Sequence, residues 1–313
     1  CVTYRAREML HQTVQYVREF APCTVVYGDT DSVMVQFDGV DGMQETGRIA
    51  EDAATYITAK FPPDIVIEFE KIFHPWILIS KKRYAGLMHE PQDDGTMRFT
   101  KLDAKGIELV RRDNCAFAKR CQRKVLDALL YKIDPALACE ELKSELALLV
   151  ADRVPLVDFK LSKSRRKTYV NEDLPHLAVV EKMRRRNPGS EPQVGDRVPY
   201  VLCIVPNNAK AKTFEKAEDI AYVRDHPDAC KIDRLYYLQH QVENSVLALM
   251  DHAVEDAKAL FVAPVRQLTL QQTGQRSLFD MMGGEEPPDP EPIRKQPSDE
   301  RAGAAPPDET EQQ

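Results

Sequence analysis

The stretch VVYGDTDSVMV, residues 25–35, decides the fold. It places Asp29 and Asp31 one residue apart between two runs rich in β-branched and apolar residues. Such runs on either side of a short Gly- and Asp-containing segment predict strand, turn, strand. Val25, Val26, Val33 and Val35 are expected to anchor both arms in a core, with Gly28 supplying a permissive backbone. Two carboxylates held together at a turn repel and raise each other's pKa, a cost that a hard cation between them removes. Magnesium suits that place. D-x-D alone would leave a plain hairpin as the better reading. An EF-hand loop is excluded, because Val33 stands where Asp or Asn is needed and no ligand series follows.

Outward from the hairpin, Met9, Leu10, Val14, Val17 and Phe20 recur at helical spacing within residues 2–20. Residues 47–61 repeat that period and end at Pro62–Pro63, and residues 64–88 read as paired strands. Beyond Gly106 the pattern turns helical, over 110–130, 135–151, 173–186 and 232–253, with short strands near 154–161 and 198–205. The expected class is α+β. Residues 1–105 form an antiparallel sheet with helices on one face, 106–263 a mostly helical unit, and 264–313 a linker and disordered tail.

Composition bounds what such a chain can do. Its 313 residues, 43% hydrophobic and 30% charged, suffice for one or two ordinary cores. No apolar run approaches the roughly 18 residues of a membrane span. The chain opens on Cys1 with helical periodicity under way, as a piece of something longer would. Seven scattered cysteines without a C-x-x-C pair read as reduced thiols of a soluble intracellular protein. The net charge of −7 sits almost wholly in residues 283–313, where nine acidic residues face three basic ones. That proline-rich segment has no apolar period and is expected to be disordered. The remainder is nearly neutral, with basic clusters at 81–83, 111–112, 163–167 and 182–186. One cluster is ordinarily a solvated face; several on one fold suit a groove that follows a phosphate backbone.

Within its strand frame, YGDTDS (27–32) resembles the metal-binding motif of the family B DNA polymerases. SKKRYAG (80–86), KGIELVRRDN (105–114), PGSEPQVGDRVPYV (188–201) and IDRLYYL (232–238) follow in the order of that family's delta branch. The resemblance covers about residues 1–262 and implies a palm sheet followed by a thumb. It implies DNA-directed DNA polymerase activity, in which two magnesium ions held by Asp29 and Asp31 serve transfer of deoxynucleotides from dNTPs to a primer 3′-hydroxyl. Asp31 would be the principal ligand and Asp29 a supporting one. Glu68 and Glu70, two apart in a strand, would share a face near the metals or simply face solvent. Strand period puts Lys82 and Tyr84 on one face and Lys81 and Arg83 on the other. By resemblance Lys82 and Tyr84 follow the minor-groove side of the primer–template, and Arg111 and Arg112 meet backbone phosphates.

The chain departs from the family in lacking the upstream D-x-x-S-L-Y-P-S aspartate, the fingers and an exonuclease domain, so alone it is expected to be inactive. An acidic tail stands where cellular delta enzymes carry two four-cysteine modules, which suggests a viral or divergent enzyme acting in the nucleus or at a viral replication site. In the tail, Gln275, Leu278, Met281 and Met282 match the spacing of the sliding-clamp peptide Q-x-x-h-x-x-a-a, with methionines in place of aromatics. The other functional class is a non-catalytic DNA- and clamp-binding module from an inactivated polymerase half.

Overall fold

A computed structural model describes residues 2–273 except 112, 207 and 209. Helix α1 (Val2–Phe20) leads into an antiparallel hairpin, β1 (Cys23–Asp29) and β2 (Ser32–Phe37), followed by α2 (Met43–Thr58). A three-stranded antiparallel sheet comes next, β3 (Ile72–Ser80), β4 (Arg83–Pro91) and β5 (Met97–Lys105), with β4 in the middle. The hairpin and this sheet share no ladder, so the first part holds two small sheets rather than one. Helices α1 and α2 pack together beside the hairpin, joined by the aromatic pairs Tyr16–Phe61 and Phe20–Tyr56 with ring centroids 5.7 and 5.4 Å apart.

The hairpin differs from expectation in its burial. Val25, Val33 and Val35 are half-buried and Val26 is 41% exposed. Val26 faces outward because β1 alternates inside and outside along its whole length, and the register shift between Val25 and Tyr27 leaves that alternation intact. Residues 65–70 keep a strict inside–outside alternation that leaves Glu68 and Glu70 exposed on one side, yet they precede β3 and belong to no strand. Strand β5 was not foreseen, because its apolar residues alternate weakly; the DDG turn before it was the available signal.

The rest is mostly helical, with a small antiparallel sheet. Its elements are α3 (Ala116–Leu126), α4 (Pro135–Val150), β6 (Leu161–Ser164), α5 (Pro175–Arg186) and β7 (Arg197–Leu202). They continue with α6 (Thr213–Lys216), β8 (Ala217–Glu218), α7 (Ile220–Asp225), α8 (Arg234–Tyr237), α9 (Asn244–Met250) and α10 (Ala259–Thr273). Wider π turns extend α3 over Asp127–Tyr131 and join α8 to α9 over Leu238–Glu243. Helix α3 starts six residues later than the apolar pattern predicts, after a turn-rich 107–115 segment. Residues 264–273, expected as linker, continue α10, with Leu268 buried.

Helix α4 shows how sequence dictates these elements. Asp134 caps it by accepting from the Ala136 and Leu137 N–H groups at 2.9 and 3.0 Å, and Pro135 needs no partner at the first position. Leu142, Leu146 and Leu149 then fall on one face and are fully buried with Phe117, Leu126 and Phe159. Each such side chain contributes about 1.5–3 kcal/mol by leaving water. Tyr237 closes the core, its hydroxyl donating to the Phe159 carbonyl at 2.7 Å and accepting from the Leu202 N–H at 3.1 Å. Ala85, Leu87 and Ile107 join this core, so it reaches β4 and the segment after β5. No helix among the described residues is long and apolar enough to cross a membrane.

Candidate active site and nucleic-acid interface

Two hairpin turns meet at the candidate site. In the first, Asp29 pairs with Ser32 across a two-residue loop of Thr30 and Asp31. The left-handed position falls on Thr30, at φ 54°, and not on Gly28, which lies within β1. Hydrogen bonds to the Asp29 carbonyl tighten the loop: the Asp31 N–H donates at 2.6 Å and the Ser32 hydroxyl at 3.1 Å. Both carboxylates therefore leave one corner, Asp31 into solvent and Asp29 toward the second turn.

The second turn is Lys81–Lys82, between paired residues Ser80 and Arg83. The strand-period assignment of Lys81 and Lys82 to opposite faces fails here, because neither lies in a strand and Lys82 is left-handed at φ 62°. The turn nevertheless aims Lys82 at the acids. Its Nζ donates to both oxygens of Asp29, at 2.7 and 2.9 Å, and its backbone N–H donates to the Tyr27 hydroxyl at 2.8 Å. The Lys82 hydrogen bond, with a second from the Thr30 hydroxyl, holds the Asp29 carboxyl below its ordinary pKa. The same pairing raises that of Lys82.

Gly106, just after β5, fits against the back of this turn at φ 65°; a Cβ there would collide with the Lys82 carbonyl oxygen. Tyr84 lies beneath, buried, its ring 5.8, 5.7 and 6.3 Å from those of Phe73, Trp76 and Tyr27. Trp76 lies across from Gly86, where a side chain would collide with the indole. Burial is the main reason the Tyr84 phenol is raised above its usual pKa.

Two of the other sequence-predicted cations, Arg83 and Arg111, have partners within the chain. Arg83 forks onto Glu108 at 2.9 and 3.1 Å, and Arg111 onto Asp113 at 3.1 and 3.0 Å, where Lys163 joins it at 3.2 Å. Those bonds, the Arg111 one foremost, hold Asp113 well below the usual carboxylate range. Lys81 is exposed. The cluster at 182–186 is spent on internal pairs: Arg186 and Lys182 on Glu218, and Arg184 and Arg185 on Glu181. The cluster at 163–167 lies by a cavity of about 640 Å³ whose lining includes Lys163, Arg166, His176, Arg197 and Asp113. Arg112 and the clamp-like Gln275, Leu278, Met281 and Met282 lie outside the described residues. Reading the sequence missed the structural parts of Tyr27, Gly106 and Glu108; YGD and KGIE were the only signals, and neither reveals that two turns dock.

Asp29 and Asp31 offer the hard anionic oxygens that magnesium prefers, and the groups now on Asp29 are an exposed ammonium and an exposed hydroxyl that a stronger cation can displace. No cluster of three or more His, Cys, Asp or Glu side chains able to hold a metal occurs among the described residues, so the pair is a partial ligand set.

The sequence matches the profile of DNA polymerase family B over residues 1–253. It is similar to the DNA polymerase delta catalytic subunit of Drosophila melanogaster, 38% identical over 232 residues, which covers 74% of this chain and 20% of that protein. The Candida albicans protein of that name is 38% identical over 249 residues (77% and 23%), and the Glycine max one 37% over 266 residues (82% and 24%). The chain thus spans only about a fifth to a quarter of the length of these relatives.

Proposed function

The chain belongs to DNA polymerase family B, and from that premise we propose that it is the end of the palm and the thumb of a DNA-directed DNA polymerase. The palm is residues 1–105 and the thumb runs from 106 to the end of α10 at Thr273, ten residues beyond the bound expected from the sequence, with the tail after it. The observation that carries this reading is the corner where Asp29 and Asp31 leave one turn and Lys82 faces them from another. Asp29 and Asp31 would hold two magnesium ions, which when bound activate a primer 3′-hydroxyl and stabilise the leaving pyrophosphate. The chain's own part is orientation. The short loop keeps both carboxylates at one edge, and the Tyr27 and Gly106 contacts keep the Lys82 turn against it. Lys81, Lys82 and Arg83 would meet primer–template DNA beside that edge, and Tyr84, expected from the sequence as a minor-groove contact, is buried and would support them from below instead. Arg111 and Arg112 would take phosphates, Arg111 by exchanging Asp113 for a phosphate oxygen.

In the complete polymerase, Asp31→Ala should lower primer extension with dNTPs at least about 100-fold, the scale of losing a group that stabilises transition-state charge. Extension near the parent rate would overturn the assignment. The clamp peptide at Gln275, Leu278, Met281 and Met282 is a second part of the proposal. Leu278→Ala should abolish binding of that peptide to a sliding clamp in calorimetry. Action in the nucleus or at a viral replication site belongs to the same proposal.

A further inference from the structure

The Lys82 turn is held more firmly than a flexible surface lysine requires. Its backbone N–H is taken by Tyr27, the residue two before Asp29, at 2.8 Å. Its carbonyl lies where Gly106 alone leaves room for it. Its side chain ends on both oxygens of Asp29, although Lys82 is 70% exposed and free to point into solvent. The residue also bears a left-handed backbone, which costs a lysine about 1 kcal/mol or more. A strained residue tied at three points to one carboxylate corner is organised around that corner.

We infer that Lys82 is the resident counter-cation of the Asp29–Asp31 turn, positioned by Tyr27 and Gly106, and that a divalent cation competes with its ammonium for Asp29. The inference rests on the proposed metal-binding role of the turn and adds a competition within it. The ammonium holds one lone-pair site on each Asp29 oxygen, and its positive charge opposes a metal ion drawn to the sites that remain. Lys82 keeps the like-charged pair together when no divalent ion is bound, and weakens binding of any ion that arrives. Anything that draws Lys82 away, such as an acceptor on bound DNA, strengthens metal binding, and by linkage the metal strengthens that engagement.

Manganese is the probe, titrated into the complete polymerase and followed by the loss of free-ion electron paramagnetic resonance signal, with no activity readout. Lys82→Asn removes the ammonium and suits a left-handed backbone, so the fold is preserved. It should tighten manganese binding by up to about fivefold, the upper range for an exposed ion pair. Lys82→Arg should stay close to the parent. Tyr27→Phe, which frees the turn but keeps the charge, should tighten binding by less. Asp31→Asn separates the two proposals: if it leaves manganese binding unchanged, the turn is not a metal site. If Asp31→Asn weakens binding while Lys82→Asn leaves it unaltered, the metal reading stands and the counter-cation inference is overturned.

Discussion

Gly106 shows how far one missing side chain can reach. Its φ of 65° is open to glycine at little cost, and its approach to the Lys82 carbonyl admits no Cβ. Gly106→Ala should destabilise the protein by at least about 1–2 kcal/mol in urea unfolding, part from the backbone conformation and part from the collision. The turn must also shift, so the chemical shifts of Lys82 and Asp29 should move together in the variant. An unchanged denaturation midpoint would mean that the two segments do not touch in solution. Asp29 adds a pH signature. Lys82 and Thr30 lower its folded pKa, so the pairing is present above the ordinary Asp value and lost as pH falls through the depressed one. The Lys82–Asp29 pairing, followed by carboxyl carbon resonances, should therefore persist below about pH 3.9.

Tyr237 joins three elements by one hydroxyl, tying α8 to the carbonyl before β6 and to the N–H of Leu202 in β7. Tyr237→Phe keeps the ring but leaves a buried acceptor and a buried donor unpaired. The cost should be about 2–4 kcal/mol in chemical unfolding, from roughly 1–3 per unsatisfied group. A loss under about 0.5 kcal/mol would show that water replaces the hydroxyl. Elements whose signal is local were legible in sequence. Helix α1 announces itself by apolar spacing, α4 by its Asp-Pro start, and the 25–35 hairpin by β-branched arms around a short polar loop. What escaped depended on partners far along the chain. Strand β5 exists because β4 pairs with it, and no apolar alternation reveals that. Lys81 and Lys82 read as strand because nothing in SKKRYAG marks a turn; the left-handed residue is a lysine where glycine or asparagine is usual. Basic clusters reveal charge but not partners, and the 182–186 run is satisfied by Glu181 and Glu218.

At the scale of the whole molecule, two buried histidines set an acid limit on stability. Burial lowers the pKa of His89, and of His176, where Lys163 adds to the effect and the Tyr169 hydroxyl lies 3.0 Å from Nε2. A base with a depressed folded pKa binds fewer protons folded than unfolded, between that value and its ordinary one near about 6.5. Stability therefore rises with pH across that interval and levels off above it, so the melting temperature should climb from about pH 5 to about pH 7. His176→Gln should flatten part of that slope, and an unaltered slope would assign it to other groups. The chain also has a single tryptophan, Trp76, set over Gly86 and within 6.4 Å of the Tyr27 ring, whose hydroxyl takes the Lys82 N–H. Its indole N–H is buried without an acceptor among the described residues. The molecule thus carries a single indole one ring away from the acidic corner, and excitation at the red edge of absorption, where tyrosine is silent, makes it a reporter for any divalent ion added to unlabelled protein.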